Sequence, residues 1–367
     1  MTANPRRLRV LVCGTTFGQA YLNGLAAAPA HFELAGILAR GGPFARACAE
    51  SRGVPFYTGV EQLPDGIDMA CVVVRSSVVG GAGTDIARAL LARGIHVIQE
   101  QPVHHDEFAG LLRAAREAGC HYRLNGFYPD VAPVARFIAA SRLVLGRGRP
   151  LFVDAACSVH VMYPLVDILG QALGQLRPWS FAMQPVADAE RGPFSSLTGR
   201  IGGIPLTLRV QNEFDPADPD NHIHLFHQIS LGTDAGTLTL TNSHGQLLWQ
   251  PRMRLQRRDD GVLDLSARHD ALAVPVASLL GPADAPSFHD TFARVWADAA
   301  RDALLRFHST IVTGRPDSAQ QQRTLAATQL WGDLASSLGA PRSIRPPEAA
   351  PLSADEIAAH LNETLPR

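Results

Sequence analysis

The chain has 367 residues, of which 46% are hydrophobic and 18% charged, and its formal net charge at pH 7 is -1. This length is sufficient for two domains, because a single hydrophobic core usually stops growing at about 250 to 300 residues. A charge so close to zero gives no broad electrostatic attraction for nucleic acid or for an anionic membrane surface. We therefore expect a globular protein with a small-molecule partner, no nucleic-acid partner and no membrane association.

The N-terminal apolar run is short and leads directly into a glycine turn, without the small-residue cleavage site of a signal peptide. No segment offers the roughly 20 consecutive apolar residues that a membrane-spanning helix requires. The five cysteines are odd in number and scattered, which favours reduced core thiols over a disulfide framework or a zinc site. These observations favour a soluble, cytoplasmic protein.

Short apolar runs alternate with helix-like segments through the first part of the chain. In order, these are LRVLV, a helix over about 18–27, FELAGILA, a helix over about 44–51, DMACVVV, TDIARALLARG, HVIQE, a helix over about 106–118, and HYRLNGF. Apolar strands without polar alternation indicate a parallel sheet covered on both faces, and the βα rhythm predicts a doubly wound arrangement. The sequence thus predicts an α/β Rossmann domain, and we place it over 1–130.

The pattern changes after GRGRP at 146–150 to longer strands with period-two alternation. These strands are IPLTLRVQNEF, HIHLFHQISLG and AGTLTLTN. Such alternation predicts a mostly antiparallel sheet in an α+β domain, which we place over 131–340. The helix-like TFARVWADAARDALLRFHSTIV and RTLAATQLWGDLASSLG are expected to return to the first domain, and the Pro- and Ala-rich tail over 341–367 is expected to be peripheral.

A glycine-containing turn follows the first strand and precedes a helix. Its residues are Gly14, Thr15, Thr16, Phe17 and Gly18. A dinucleotide pyrophosphate would bind here, at the helix N-terminus. The usual fingerprint has three glycines, whereas this turn has two, and the hydroxyls of Thr15 and Thr16 could compensate. The alternative interpretation is an ordinary tight turn between a strand and a helix.

The end of the second strand reads LARGG and lacks the acidic residue that binds the ribose of NAD. Arg40 and Arg46 could instead pair with a 2′-phosphate, which favours NADPH over NADH, although solvated surface arginines are the simpler alternative. After DMACVVV, Arg75 and Ser76 lead into a glycine-rich loop over 80–83 at the carboxyl edge of the sheet, where doubly wound folds bind ligands. Close approach to a ligand, or flexibility alone, would explain those glycines.

Two further strand ends carry chemically suggestive residues, Glu100 after the fourth strand and Tyr128 after the fifth, and both are expected to border the nicotinamide pocket, with Glu100 as a cofactor-binding candidate. Glu100 and Gln101 follow the fourth strand, in a segment that resembles the Glu-Lys-Pro segment of the glucose-fructose oxidoreductase and inositol dehydrogenase superfamily. The resemblance implies a proton-transferring lysine at position 101, yet this chain contains no lysine at all. It also implies a catalytic histidine four residues after Asp167, where Gln171 stands. The fold is therefore expected to be retained while the machinery for oxidising an alcohol is absent.

The chain resembles the thiazolinyl imide reductases of siderophore assembly lines of the pyochelin and yersiniabactin type. The resemblance is carried by VLVCGTTFGQAYLNGL, CVVVRSSVVGGAGTDIARALLARGIHVIQEQPVHHDE and YRLNGFYPD, and more weakly by VDAACSVHVMYPLVDILGQALG. It implies that NADPH reduces a thiazoline C=N bond to a thiazolidine while the substrate remains a thioester on a peptide-synthetase carrier domain. It also implies a homodimer formed through the second sheet.

The resemblance places a proton-donating tyrosine at Tyr128 and a second acid at position 101. A neutral amide cannot donate a proton as an acid, so Gln101 is limited to orienting the substrate or a water molecule. His104 or His105 could stand in, although both precede a helix and could serve its first turn instead. Another group of histidines, at 222, 224 and 227, is expected to alternate along a strand, which does not suit a three-ligand metal site.

Two other functions remain open from the sequence. One is a sugar-type NADP-dependent dehydrogenase of the same superfamily, against which the missing lysine and histidine count. The other is a non-catalytic NADP-sensing protein that regulates a partner, since loss of the usual catalytic pair also fits that interpretation.

Overall fold

A computed structural model describes residues 6–76, 79–185, 192–218, 220–264, 272–346, 350 and 352–365. Short, continuous apolar runs form the strands of a six-stranded parallel sheet. Its strands are β1 Leu8–Cys13, β2 Phe32–Leu38, β3 Phe56–Tyr57, β4 Met69–Val72, β5 His96–Glu100 and β6 Tyr122–Asn125. They lie in the order β3-β2-β1-β4-β5-β6, so the direction of winding reverses between β1 and β4. Ligands of doubly wound sheets bind at this switch point.

Four helices join these strands and cover both faces of the sheet, which is why its central strands are buried. They are α1 Gly18–Ala26, α2 Pro43–Glu50, α3 Gly83–Ala92 and α4 His105–Glu117. The predicted α/β Rossmann arrangement is confirmed. A later helix, α8 Trp296–Thr313, packs so closely on α1 that a Cβ on Gly24 would lie 2.8 Å from the Cβ of Ala300. This later segment therefore lies against the first helix of the chain.

The second sheet has eight strands in the order β15-β14-β13-β12-β7-β10-β9-β8. Its strands are β7 Pro150–Ser158, β8 Trp179–Met183, β9 Phe194–Ile201, β10 Ile204–Gln211, β12 His227–Thr233, β13 Gly236–Leu240, β14 Leu247–Pro251 and β15 Ser278–Leu279. Only β7 and β10 pair in parallel within this described sheet, and the other neighbours are antiparallel. The predicted antiparallel character of the second domain is confirmed.

Further helices lie in the second part of the chain. They are α5 Ala132–Arg147, α6 Met162–Leu173, α7 Phe288–Asp290, α9 Ser318–Leu338 and α10 Ala354–Thr364. One turn of π-helix, Thr291–Val295, joins α7 to α8. The five cysteines are buried and unpaired, as expected of core thiols. Among the described residues, no helix combines the length and apolarity needed to cross a membrane.

Two predicted strands differ from the structure. The segment HIHLFHQISLG forms a strand only from His227 onwards. The residues before His227 are bound instead by the Gln211 side chain, whose amide N–H donates to the His222 carbonyl at 2.6 Å and whose amide oxygen accepts from His224 N–H at 3.0 Å. The prediction that His222 and His224 alternate along a strand was therefore wrong. The segment IPLTLRVQNEF ends its main strand at Gln211, and β11 Glu213–Phe214 pairs instead with β16 Arg342–Ser343 of the tail.

Candidate active site

The turn between β1 and α1 is tight and requires glycine at its first position. Gly14 has a φ of +92°, and a Cβ there would lie 2.4 Å from the carbonyl oxygen of Val73, so only glycine fits. Helix α1 begins at Gly18 without a side-chain cap and without an acidic residue in its first turn. The N–H groups of Gln19 and Ala20 donate to the carbonyls of Thr16 and Phe17 at 3.4 and 3.0 Å, so an anion at this helix start would bind the N–H groups that precede them in the turn. Thr15 is buried in this turn and Thr16 is exposed, which leaves one hydroxyl at the surface.

Two arginines lie at the carboxyl end of β2, as the sequence predicted. Arg40 and Arg46 are both exposed. Arg46 Nε donates to the Gly41 carbonyl at 3.1 Å, and its guanidinium carbon lies 5.0 Å from the centroid of the Phe56 ring. No carboxylate occurs between residues 39 and 49, so these guanidinium groups set the local charge.

The loop after β4 is folded tightly upon itself. The Ser76 hydroxyl donates to the Pro102 carbonyl, and Gly83 N–H donates to the Arg75 carbonyl at 2.8 Å. A Cβ on Gly81 would lie 2.0 Å from that same Arg75 oxygen. Close contact of the loop with its own backbone therefore explains this glycine, rather than the ligand contact or flexibility expected from the sequence. Ser76 is buried, whereas Arg75 is exposed at the sheet edge.

A buried polar network lies at the ends of β5 and β6. The Tyr21 hydroxyl donates to Glu100 Oε2, and Asn125 Nδ2 donates to the Tyr21 oxygen at 2.6 Å. Burial raises the pKa of Glu100 from 4.5 to about 8, so at pH 7 most molecules carry a neutral carboxyl. Gln101 also hydrogen-bonds this carboxyl. The Gln101 amide oxygen is buried and has no partner among the described residues.

The Tyr128 turn has a strained backbone. Phe127, which precedes it, has φ 58° and ψ -62°, and Tyr128 N–H donates to the Gly126 carbonyl at 2.7 Å. This is a γ-turn with positive φ, a rare and costly conformation for a non-glycine residue. Packing holds it in place: the buried Phe127 ring lies 4.8 Å from Phe17 and 5.7 Å from Trp296, centroid to centroid. Phe17, predicted to contact the cofactor, therefore also supports the turn that carries Tyr128.

Two acidic residues, Asp167 and Asp130, help to fix the position of this turn. A Cβ on Gly126 would lie 2.3 Å from Asp167 Oδ2, so glycine is required there. Gln171 Nε2 donates to Asp167 Oδ1 at 3.1 Å, and burial raises the pKa of Asp167. On the other side, Arg306 of α8 forms an ion pair with Asp130. The segment around Tyr128 is thereby held by two helices of the second part of the chain, α6 and α8.

The Tyr128 side chain is 6% exposed and lies among aromatic rings. Its ring neighbours, by centroid distance, are His227 at 4.9 Å, Phe127 at 5.6 Å, Phe226 at 5.7 Å and His244 at 6.3 Å. Burial, followed by the charge of Glu100, raises the pKa of the Tyr128 hydroxyl. The hydroxyl makes no hydrogen bond within the described ranges. It is thus a protonated group that can donate to a bound molecule.

The sequence did not reveal His244, Trp296 or Phe226 as parts of this site. Trp296 Nε1 donates to His244 Nε2 at 3.0 Å, and the Phe226 and His244 rings lie 5.3 Å apart. They come from an irregular segment, a hairpin turn and a helix that are distant from Tyr128 in the chain. The only available signal was a histidine in the turn after AGTLTLTN and a tryptophan on a returning helix.

The two histidines proposed as substitute acids have structural roles. His104 is the N-cap of α4, where its Nδ1 accepts from Asp106 N–H at 3.3 Å. His105 Nδ1 lies 3.1 Å from both the Leu325 carbonyl and the Thr328 hydroxyl. These contacts agree with the alternative that the two histidines serve the first turn of the following helix and are not acids. Within the part of the chain that the structure describes, neither histidine ring contacts the Tyr128 ring. The same described residues contain no group of three or more His, Cys, Asp or Glu side chains that could hold a metal ion.

Residues 8–125 match a family model described as an oxidoreductase family with an NAD-binding Rossmann fold. The first domain belongs to this oxidoreductase family. The chain is accordingly a nicotinamide-dependent oxidoreductase of this type. Residues 148–250 of the oxidoreductase match a second model, described as the C-terminal part of Irp3-like thiazolinyl imine reductase. A comparison with curated proteins found no match.

Solved structures share the complete fold of this oxidoreductase. Levoglucosan dehydrogenase, in complex with NADH and levoglucosan, is 13% identical with a TM-score of 0.64, over 91% of this chain and 97% of that one. UDP-N-acetylglucosamine 3-dehydrogenase GnnA from Acidithiobacillus ferrooxidans is 15% identical with a TM-score of 0.62, over 91% and 100%. An oxidoreductase from Agrobacterium radiobacter, with NAD+, L-tartaric acid and magnesium, is 13% identical with a TM-score of 0.63, over 91% and 96%. At these identities the similarity shows the fold alone.

Proposed function

We propose that this oxidoreductase uses NADPH to reduce a thiazoline C=N bond to a thiazolidine during nonribosomal siderophore biosynthesis. The substrate is a thioester on a peptide-synthetase carrier domain. The observation that carries the proposal is the match of residues 148–250 to the thiazolinyl imine reductase model, because this segment forms most of the second sheet beside Tyr128. The resemblance of the first 130 residues to the same family supports it.

The turn at Gly14 would hold a dinucleotide phosphate, because it leads from a parallel strand directly into the N-terminus of α1, and its glycine lets the chain pass close to Val73. Arg40 and Arg46 would pair with a 2′-phosphate, and this charge is the basis for choosing NADPH. Bound NADPH supplies a hydride. The unpaired amide oxygen of Gln101 would accept a hydrogen bond from a bound molecule.

Reduction of the imine adds a hydride to carbon and a proton to nitrogen, and the reduced cofactor is oxidised. Tyr128 would give the proton, because its hydroxyl is protonated and makes no hydrogen bond among the described residues. The nitrogen becomes more basic as its carbon is reduced, so even a weakly acidic tyrosine can protonate it. Buried aromatic rings around Tyr128 would exclude water from the reacting bond.

A sugar-type dehydrogenase is the second candidate, because solved sugar dehydrogenases share this fold. Oxidising an alcohol requires a base that removes the hydroxyl proton. The positions that would supply it hold Gln101 and Gln171, which are neutral amides, and Gln171 is bound to Asp167. The residues at the site therefore favour imine reduction.

Paired assays distinguish these functions. In one, NADPH absorbance is followed with a soluble aryl-thiazoline thioester mimic, beside an NADH control. In the other, NADP+ reduction is followed with levoglucosan and other sugar alcohols. The proposal expects oxidation in the first assay and no reaction in the second. The opposite pattern would establish a dehydrogenase, and tight NADPH binding with no reaction in either assay would favour a sensor.

A further inference from the structure

The hydrogen bonds of His227, beside the Tyr128 ring, show where its proton lies. His227 Nε2 lies 2.8 Å from the carbonyl oxygen of Val161, which can only accept, so Nε2 carries the proton. Nδ1 therefore accepts from the Ser243 hydroxyl at 2.7 Å. Burial lowers the pKa of this imidazole to about 3, which keeps it neutral. Both ring nitrogens of His227 are thus used inside the protein.

His244 has the opposite tautomer. The indole N–H of Trp296 can only donate, and it donates to His244 Nε2 at 3.0 Å. In the neutral ring the proton is therefore on Nδ1. Burial lowers the pKa of His244 to about 4, so the ring is neutral at pH 7. Nδ1–H has no hydrogen-bond partner within the described part of the chain, and the residue is only partly buried.

The backbone holds His244 in a fixed position. It lies in the turn between β13 and β14, which is closed by the bond from Thr241 N–H to the Gln246 carbonyl at 3.0 Å. His244 N–H donates to Asn242 Oδ1 at 3.3 Å. The ring centroids of His244 and Tyr128 are 6.3 Å apart, so the two side chains are direct neighbours. A second, oriented donor thus accompanies Tyr128.

We propose that His244 donates its Nδ1–H to an uncharged acceptor atom of the bound substrate, beside the Tyr128 hydroxyl. This inference rests on the proposed function, because it assigns a contact to the substrate of that reaction. Tyr128 gives up its proton, whereas His244 keeps its own and orients and polarises the substrate. A neutral donor suits an uncharged thiazoline thioester, since a cation in this apolar site would be costly to desolvate.

Isosteric variants test this role. H244N keeps an amide N–H close to the position of the histidine Nδ1–H. H244Q places its amide near the Nε2 position instead, and H244A has no side-chain N–H at all. We expect kcat/KM for the thioester mimic to fall about 10- to 100-fold in H244A and H244Q, and to stay within about threefold in H244N. NADPH affinity should be unchanged, whereas Tm should fall in H244A and H244N alike, because both lose the acceptor of the Trp296 indole N–H. The exposed His289 provides a matched control, and H289N should behave as wild type.

Equal kcat/KM in wild type and H244A would overturn the proposal. An equal loss of kcat/KM in H244A and H244N would overturn it as well, because it would indicate a packing role. The wild-type rate tests the proposed function separately. If wild type does not turn over the mimic, a non-reducible aryl-thiazole analogue is titrated into the protein with NADP+, and the ring nitrogens are followed by long-range 1H–15N NMR. A shift of the His244 Nδ1–H resonance supports the contact, and no shift at saturating analogue overturns it.

Discussion

Glu100 should make the protein less stable as the pH rises, and glutamine at this position should remove that dependence. The residue is 9% exposed at the end of β5, and burial raises the pKa of its carboxyl from 4.5 to about 8. The hydrogen bond from Tyr21 opposes this shift only in part. Ionisation at alkaline pH therefore leaves a charge in a site that was built around a neutral acid.

The magnitude follows from the difference in pKa between the folded and unfolded chains. The folded protein binds the proton more tightly, so the stabilising contribution is complete below 4.5 and is lost as the pH rises through about 8. Each unit of difference corresponds to about 1.4 kcal/mol. Between pH 5 and pH 9 the loss amounts to about 4 kcal/mol, a large part of the stability of a typical domain.

Urea unfolding, followed by circular dichroism at intervals from pH 5 to pH 9, measures this loss. The free energy of unfolding of wild type minus that of E100Q should fall by about 4 kcal/mol over the range. The exposed Glu117 of α4 supplies a control, and E117Q should follow wild type. If the stability of E100Q shows the same pH dependence as that of wild type, Glu100 is not a buried neutral carboxyl.

Three further predictions concern the cofactor and the proton. Y128F should lower kcat about 100-fold or more, as expected for loss of a general acid, and a loss below about threefold in the NADPH assay would exclude Tyr128 as the sole donor. Replacing Arg40 and Arg46 by alanine should reduce the NADPH-over-NADH ratio of kcat/KM at least about tenfold, and an unchanged ratio would exclude them as anchors. G14A, whose Cβ would lie 2.4 Å from a carbonyl oxygen, should weaken calorimetric NADPH binding at least about tenfold. G146A in α5, where a Cβ would have nothing within 4 Å, should bind as wild type, and equal affinity in the two variants would contradict the phosphate turn.

The sequence predicted the architecture because the fold depends on local periodicity. Continuous apolar strands and the βα rhythm are visible in any short window, and they indicated both the parallel sheet and the turn at Gly14. Strand ends of a parallel sheet meet at one edge, so Glu100 and Tyr128 could be assigned to the same region. The γ-turn at Phe127 had no such signal, because its strain is maintained by rings from other elements.

The enclosure of Tyr128 could not be predicted for the same reason. His244 and Trp296 become neighbours only when a hairpin turn and α8 meet, more than 100 residues after Tyr128 in the chain. Alternation in HIHLFHQISLG misled the strand prediction, because periodicity does not show that Gln211 binds the backbone ahead of His227. Hydrogen bonds between a side chain and a distant backbone are thus the main source of error.

Transfer of deuterium from the cofactor tests the proposed function most directly. NADPH that carries deuterium on its transferable face is incubated with the protein and the thioester mimic, and the product is analysed by mass spectrometry and NMR. If the protein is an imine reductase, the product is a thiazolidine with one deuterium on the former imine carbon. An unlabelled thiazolidine would contradict the proposed function. So would recovery of unreduced thiazoline from protein that binds NADPH tightly.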